Sequence, residues 1–87
     1  MAARALACLG DAYVGLENYN EAVSAYKKAV AKADNPYAAA YLVKEGLALE
    51  QLGKKAEALD CYKTVKDKYP QSIEAYDIDR YIAAVEE

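Results

Sequence analysis

The chain has 87 residues, a formal net charge of -3 at pH 7 and an apolar content of 55% that includes nine tyrosines. That length fits one domain with a modest core, which small and amphipathic side chains fill best by close helix-on-helix packing. The negative balance gives no electrostatic incentive to bind a phosphate backbone or an anionic lipid surface; no apolar run approaches the roughly 20 residues of a membrane span, and Met1-Ala2-Ala3-Arg4 does not open a signal peptide.

Five helices are predicted in chain order. The first runs from about Ala3 to Leu16, an alanine- and leucine-rich stretch with helical spacing. Asn18, with Glu21 three residues on, has the pattern of a capping box and opens the second helix, Tyr19 to Ala33. Asn35 can cap a third helix, Pro36 to Leu52, because proline at the first helical position presets φ and needs no amide hydrogen there. Gly53 suits the left-handed turn that closes it. The fourth helix spans Lys55 to Lys68, and Ser72 is a candidate cap for a fifth, Ser72 to Val85.

An internal repeat organises these elements. The pairs Gly10/Gly46, Ala22/Ala58, Tyr26/Tyr62 and Glu21/Glu57 are each separated by 36 residues. A mid-helix glycine costs about 1 kcal/mol relative to alanine, so a close helix crossing is the expected compensation, with Ala22 and Ala58 facing the glycines. The string Leu6-x-x-Leu9-Gly10-x-x-Tyr13, then Ala22-x-x-x-Tyr26 and Pro36, resembles the tetratricopeptide repeat, with Leu6 where the family prefers tryptophan and Tyr26 where it prefers phenylalanine. The second copy has Leu42, Gly46, Leu49, Ala58, Tyr62 and Pro70, and departs at Glu45, where the first has Leu9 and an inward contact is expected. A period of 36 rather than 34 places about two extra residues near Ala33 to Asn35.

The resemblance implies an all-α, right-handed α-α superhelix over residues 1–87: repeat one at about 3–35, repeat two at about 36–69 and a capping helix at about 72–85. Two and a half repeats is fewer than such arrays usually need, which points to a fragment of a longer chain or to self-association. Lys32-Ala33-Asp34-Asn35, the segment Tyr62 to Pro70 and the segment Ala75 to Ile82 further resemble the C-terminal part of membrane-anchored tetratricopeptide proteins of Bacteroidetes bacteria.

Chemistry has little to work with. Without histidine, no motif places a base beside Ser24, Ser72, Cys8, Cys61 or Thr64, and no glycine-rich phosphate loop occurs. Cys8 and Cys61 are far apart and are expected as packed or half-packed thiols rather than as a zinc or redox site. Tyr13, Tyr19, Tyr26, Tyr62, Tyr69 and Tyr76 are expected in the core or its seams. Neither an enzyme nor a cofactor is expected.

The remaining surface is the inner wall, made by the first helix of each hairpin and by the last helix. The family pattern places Ala7, Asp11 and Val14 there from the first hairpin, Val43, Leu47 and Glu50 from the second, and Asp77 and Tyr81 from the fifth helix. Such a groove, partly apolar and acid-rimmed, is expected to hold a protein or peptide with apolar anchors and some positive charge. The basic and asparagine side chains with which some family members grip terminal carboxylates are not at Ala7, Asp11, Val43 or Leu47. A second reading is a homo-oligomer or spacer, with Leu6, Leu9 and neighbouring alanines of the first helix offered to another copy. RNA binding through the lysines of the second and fourth helices, Lys32 and Lys63 among them, is the weakest reading, because Glu21, Glu57, Asp60 and Asp67 interrupt them.

Overall fold

The computed structural model describes residues 2–33 and 37–86. Five helices follow one another, α1 (Ala3–Gly15), α2 (Tyr19–Ala33), α3 (Tyr37–Gln51), α4 (Lys55–Lys68) and α5 (Ile73–Glu86), with no strand among the described residues. Each packs on its neighbours in sequence and α3 also touches α5, so the odd-numbered helices form one layer and α2 and α4 the other. The result is a slab of 29 × 28 × 15 Å, an all-α helical repeat. The proposed Asn35 cap, Pro36 and most of the two-residue extension lie outside the described residues.

The repeat extends into the hydrogen bonds that stop the helices. At the end of α3 the Lys54 N–H donates to the Leu49 carbonyl at 2.9 Å and the Gly53 N–H to the Glu50 carbonyl at 2.9 Å. Gly53 has φ 75°, as expected of a glycine closing a helix with this paired motif. At the end of α1, 36 residues earlier, Asn18 donates to Tyr13 at 2.8 Å and Glu17 to Val14 at 2.9 Å. Here the left-handed position is Glu17, φ 57°, so the same turn is made without glycine. Asn18 joins the two helices through its main chain, its carbonyl accepting the Ala22 N–H at 3.1 Å. Ser72 caps α5 as expected: its Oγ accepts the Ala75 N–H at 3.2 Å while the hydroxyl donates to the Tyr69 carbonyl at 2.7 Å.

The two glycines have a different partner from the one their spacing suggests. A Cβ at Gly10 would lie 2.5 to 2.9 Å from three ring carbons of Tyr26, and one at Gly46 would overlap the Tyr62 ring, with Cζ at 2.8 Å. The glycines are therefore seats for tyrosine rings. Ala22 and Ala58 are fully buried, but they are not the atoms that come nearest to those seats. Each ring is clamped within its own hairpin, and both belong to the main core with Leu42, Leu49, Val65 and Ile78. α5 begins 36 residues after α3, and the position matching Gly46 is Ile82, partly buried against that core. Beside it Tyr81 packs on the Tyr62 ring with centroids 5.4 Å apart.

The inward contact expected at the Glu45 position is kept, and three further expectations, on Cys8, Leu6 and Tyr76, are corrected. Glu45, in place of Leu9, does point inward: it is 5% exposed, in the seam formed by α2, α3 and α4. Burial pushes its carboxyl above the ordinary value, opposed by a hydrogen bond from the Cys61 thiol and by the Lys27 charge. Cys61 is buried and its thiol is held well above its usual value by burial and by Glu45, whereas Cys8 is exposed rather than packed. Leu6 is buried against Ala29 within its own hairpin and is not offered outward. Tyr76 is 87% exposed, because its position on α5 turns away from the core that takes Ile78.

Candidate partner-binding groove

The inner layer presents two adjoining clefts between α1 and α3. The larger, of about 710 Å³, runs from Ala3 and Ala7 on α1 to Tyr37 and Tyr41 on α3, with the end of α2 at its edge. The smaller, of about 380 Å³, lies between Val14, Tyr19, Leu47 and Gln51. Lys44 lines both, so they form one trough along the α1–α3 junction. A smaller cleft of about 270 Å³ begins on the other side of Tyr37 and is lined by Ala40, Ser72 and Ile73.

Four of the eight residues expected on this wall line the trough: Ala7 and Asp11 in the larger cleft, Val14 and Leu47 in the smaller. Val14 and Leu47 are exposed apolar side chains. The other four do different work. Val43 is buried in the main core. Glu50 accepts a hydrogen bond from the Tyr62 hydroxyl, Tyr81 packs on the same ring, and Asp77 sits 3.6 Å from Arg80 on its own helix.

Charge on this wall also differs from the acid rim expected. Asp11 accepts the Tyr26 hydroxyl at 2.6 Å and both its oxygens lie 3.0 Å from the Lys44 ammonium. Burial raises the Asp11 pKa, but those two hydrogen bonds and the Lys44 charge outweigh it and leave the carboxyl below its ordinary value. The tyrosine hydroxyls are pushed the other way, above their usual range, by burial and then by the carboxylates they serve. With Asp11 and Glu50 engaged by the fold, Arg4 and Lys32 give the larger cleft a net positive lining.

Tyr26 and Tyr62 reach the inner layer from the outer one because their rings cross over glycine, and each finds a carboxylate there. Asp11 and Glu50 do not stand at matching positions. The position matching Asp11 is Leu47, one helical turn before Glu50, so the longer side chain makes from the next turn the contact that aspartate makes directly. Lys44, Tyr41, Arg4 and Lys32 were missed as trough residues. The signal available was the one-helix-turn spacing of Tyr37, Tyr41 and Lys44, which puts them on one flank of α3. Lys32 lines the trough edge rather than belonging wholly to the outer wall.

A family model described as tetratricopeptide repeat matches residues 9–73. Neither a curated protein nor a solved structure shows significant similarity to the chain. The matched span holds both glycine seats, both tyrosine rings and the connection into α5. Repeats of this type are non-catalytic folds that generally mediate protein–protein interaction. A match over residues 9–73, which takes in the second half of α1 and all of α2, α3 and α4, together with two hairpins of one construction 36 residues apart, shows that the chain belongs to the tetratricopeptide repeat family.

Proposed function

We propose that the trough between α1 and α3 holds a short segment of another protein, in extended or helical form. Its smaller cleft takes an apolar side chain against Val14 and Leu47, and its larger cleft takes an acidic group between Arg4 and Lys32. The observation that carries this reading is the continuity of the trough through Lys44, which sets an apolar cleft beside a cationic one, as a peptide carrying both kinds of side chain requires. The positive charge first expected of the partner is replaced by negative charge, because Asp11 is neutralised within the fold.

This reading is tested by selecting a displayed random decapeptide library on the intact chain. Enriched peptides are expected to pair a large apolar residue with Asp or Glu. Leu47→Glu is expected to weaken the selected peptides by about 1–3 kcal/mol, typical of losing an apolar anchor, at a cost to stability of about 0.5 kcal/mol or less. Lys63→Glu on the outer layer is expected to leave binding unchanged. Binding that survives Leu47→Glu and is lost with Lys63→Glu would move the function to the outer face. Placement of the module in a membrane-anchored bacterial parent rests on the resemblance of the segments 32–35, 62–70 and 75–82, and no described helix is itself long and apolar enough to cross a membrane.

A further inference from the structure

The two members of the ion pair in the trough are held in different ways. Asp11 is fixed from behind: the Tyr26 hydroxyl donates to it at 2.6 Å, and the Tyr26 ring is buried on Gly10. Lys44 reaches it from the other hairpin on a flexible stem, with both carboxylate oxygens 3.0 Å from its ammonium. The side chains are 42% and 48% exposed, so a group entering the trough meets the pair. The fold does not require this pair. At the next junction, 36 residues on, Leu47 stands in place of Asp11 and Arg80 in place of Lys44. There the cation turns to Asp77 on its own helix, at 3.6 Å, and α3 and α5 still touch. An exposed ion pair also contributes little to stability, so parting it is cheap.

We infer that Lys44 sets the trough's preference for acidic partners, and that Asp11 is an internal competitor which holds the Lys44 ammonium until a partner's carboxylate takes it over. This deepens the peptide-binding reading and rests on it. Lys44 joins Arg4 and Lys32 in lining the larger cleft, and it also borders the apolar cleft of Val14 and Leu47. A carboxylate drawn in by Arg4 and Lys32 therefore draws on Lys44 as well, while an apolar neighbour in the same segment packs beside its stem. Binding exchanges one ion pair for another: Lys44 turns from Asp11 to the partner, and Asp11 keeps the Tyr26 hydroxyl. A neutral segment leaves Lys44 on Asp11 and gains nothing from it. A basic segment meets three cations and one carboxylate already engaged. The competition also keeps the affinity for any acidic partner below what the three cations alone would give.

The probes are two sets of decapeptides, acetylated and amidated at their ends, with one leucine on a serine–glycine background. One set carries a glutamate at varied spacing from the leucine, and its twin carries glutamine instead. Blocked ends leave the glutamate as the only charge. In NMR titrations of the intact chain, the glutamate peptides are expected to bind more tightly than their twins and to shift the Lys44 side-chain signals. Asp11→Asn keeps an acceptor for Tyr26. It is expected to tighten the glutamate peptides about two- to fivefold, the range of one exposed ion pair, and to leave the twins unchanged. Lys44→Gln is expected to weaken the glutamate peptides by a similar factor and, in the double variant, to abolish the gain from Asp11→Asn. Unchanged binding of the twins also shows that each variant is folded. A gain from Asp11→Asn that persists without Lys44 means that Asp11 acts through the overall charge of the cleft, and overturns the inference. Lys44→Gln that leaves the preference for glutamate intact overturns it too. Leu47→Glu separates this inference from the reading beneath it. If that change weakens both sets while Asp11→Asn alters nothing, the trough stands as the binding site and the inference falls. If it weakens neither, or if neither set binds, both fall.

Discussion

The tyrosine ring seated on glycine explains why a helix interior tolerates its most costly ordinary residue twice. Gly46→Ala would gain roughly 1 kcal/mol of helix propensity if nothing lay nearby. Here the new methyl would meet the Tyr62 ring, which is itself buried and tied to Glu50. The expected outcome is a net destabilisation of about 1–3 kcal/mol in denaturant midpoint, the range of an overpacked core. The spacing of Gly and Ala in the sequence announced a close approach but could not say which side chain filled it, because a ring four residues beyond Ala22 or Ala58 lies on the same helix face as the alanine. Glu45 is the second residue whose environment sets a measurable property. Its carboxyl, ordinarily near 4.5, has a raised pKa in the fold, so the native state holds the proton more tightly than the unfolded chain. Stability attributable to this group is therefore greatest at acid pH and falls as pH rises from about 4.5 through the higher folded value. Glu45→Gln is expected to flatten that fall and to raise stability at pH 7, with little difference near pH 4, as pH-dependent denaturant melts would show. Asp11 contributes with the opposite sign, losing its stabilising effect as pH drops below its ordinary value of 3.8.

Helix limits were largely legible because they are set by local chemistry. α2 and α4 begin and end where their spacing predicts, and Ser72 and Gly53 act at the ends as serine and glycine usually do. The turn after α1 was not legible in the same way. Nothing about glutamate marks a left-handed residue, and only its 36-residue relation to Gly53 gives Glu17 away. Since a side chain at positive φ costs roughly 1–2 kcal/mol, Glu17→Gly is expected to stabilise the fold by up to about 1 kcal/mol once the added freedom of the unfolded chain is subtracted. A rise in the thermal midpoint with unchanged helical content would confirm it, and an unchanged or lower midpoint would show that Glu17 makes a contact worth more than its strain. The same element-scale view explains the missed trough residues. Which flank of α3 faces α1 depends on how one hairpin is turned against the next, and periodicity within a single helix carries no record of that angle.

Across the whole molecule, stability depends on a continuous core that only the last helix closes. Ile78 and Val85 of α5 are buried, and Tyr81 and Ile82 pack against the same cluster. Burying one such aliphatic side chain is worth about 1.5–3 kcal/mol, while a chain of this size holds a net stability of only roughly 4–13 kcal/mol. A chain ended after Tyr69 is therefore expected to lose most of its helical circular dichroism at 25 °C, rather than to persist as two docked hairpins. Retention of a cooperative melt by that shortened chain would show that the hairpins are self-sufficient.

Ile82 gives this closing role a directional meaning. In both complete hairpins, the residue at this position of the inner helix is an empty socket into which the outer helix plugs a tyrosine. α5 carries the same frame with the socket already filled from its own side, so an outer helix of the kind seen in α2 and α4 has nowhere to insert its ring. Two inner helices thus receive an aromatic ring from a partner helix at this position, while the third supplies an aliphatic side chain of its own to the same core.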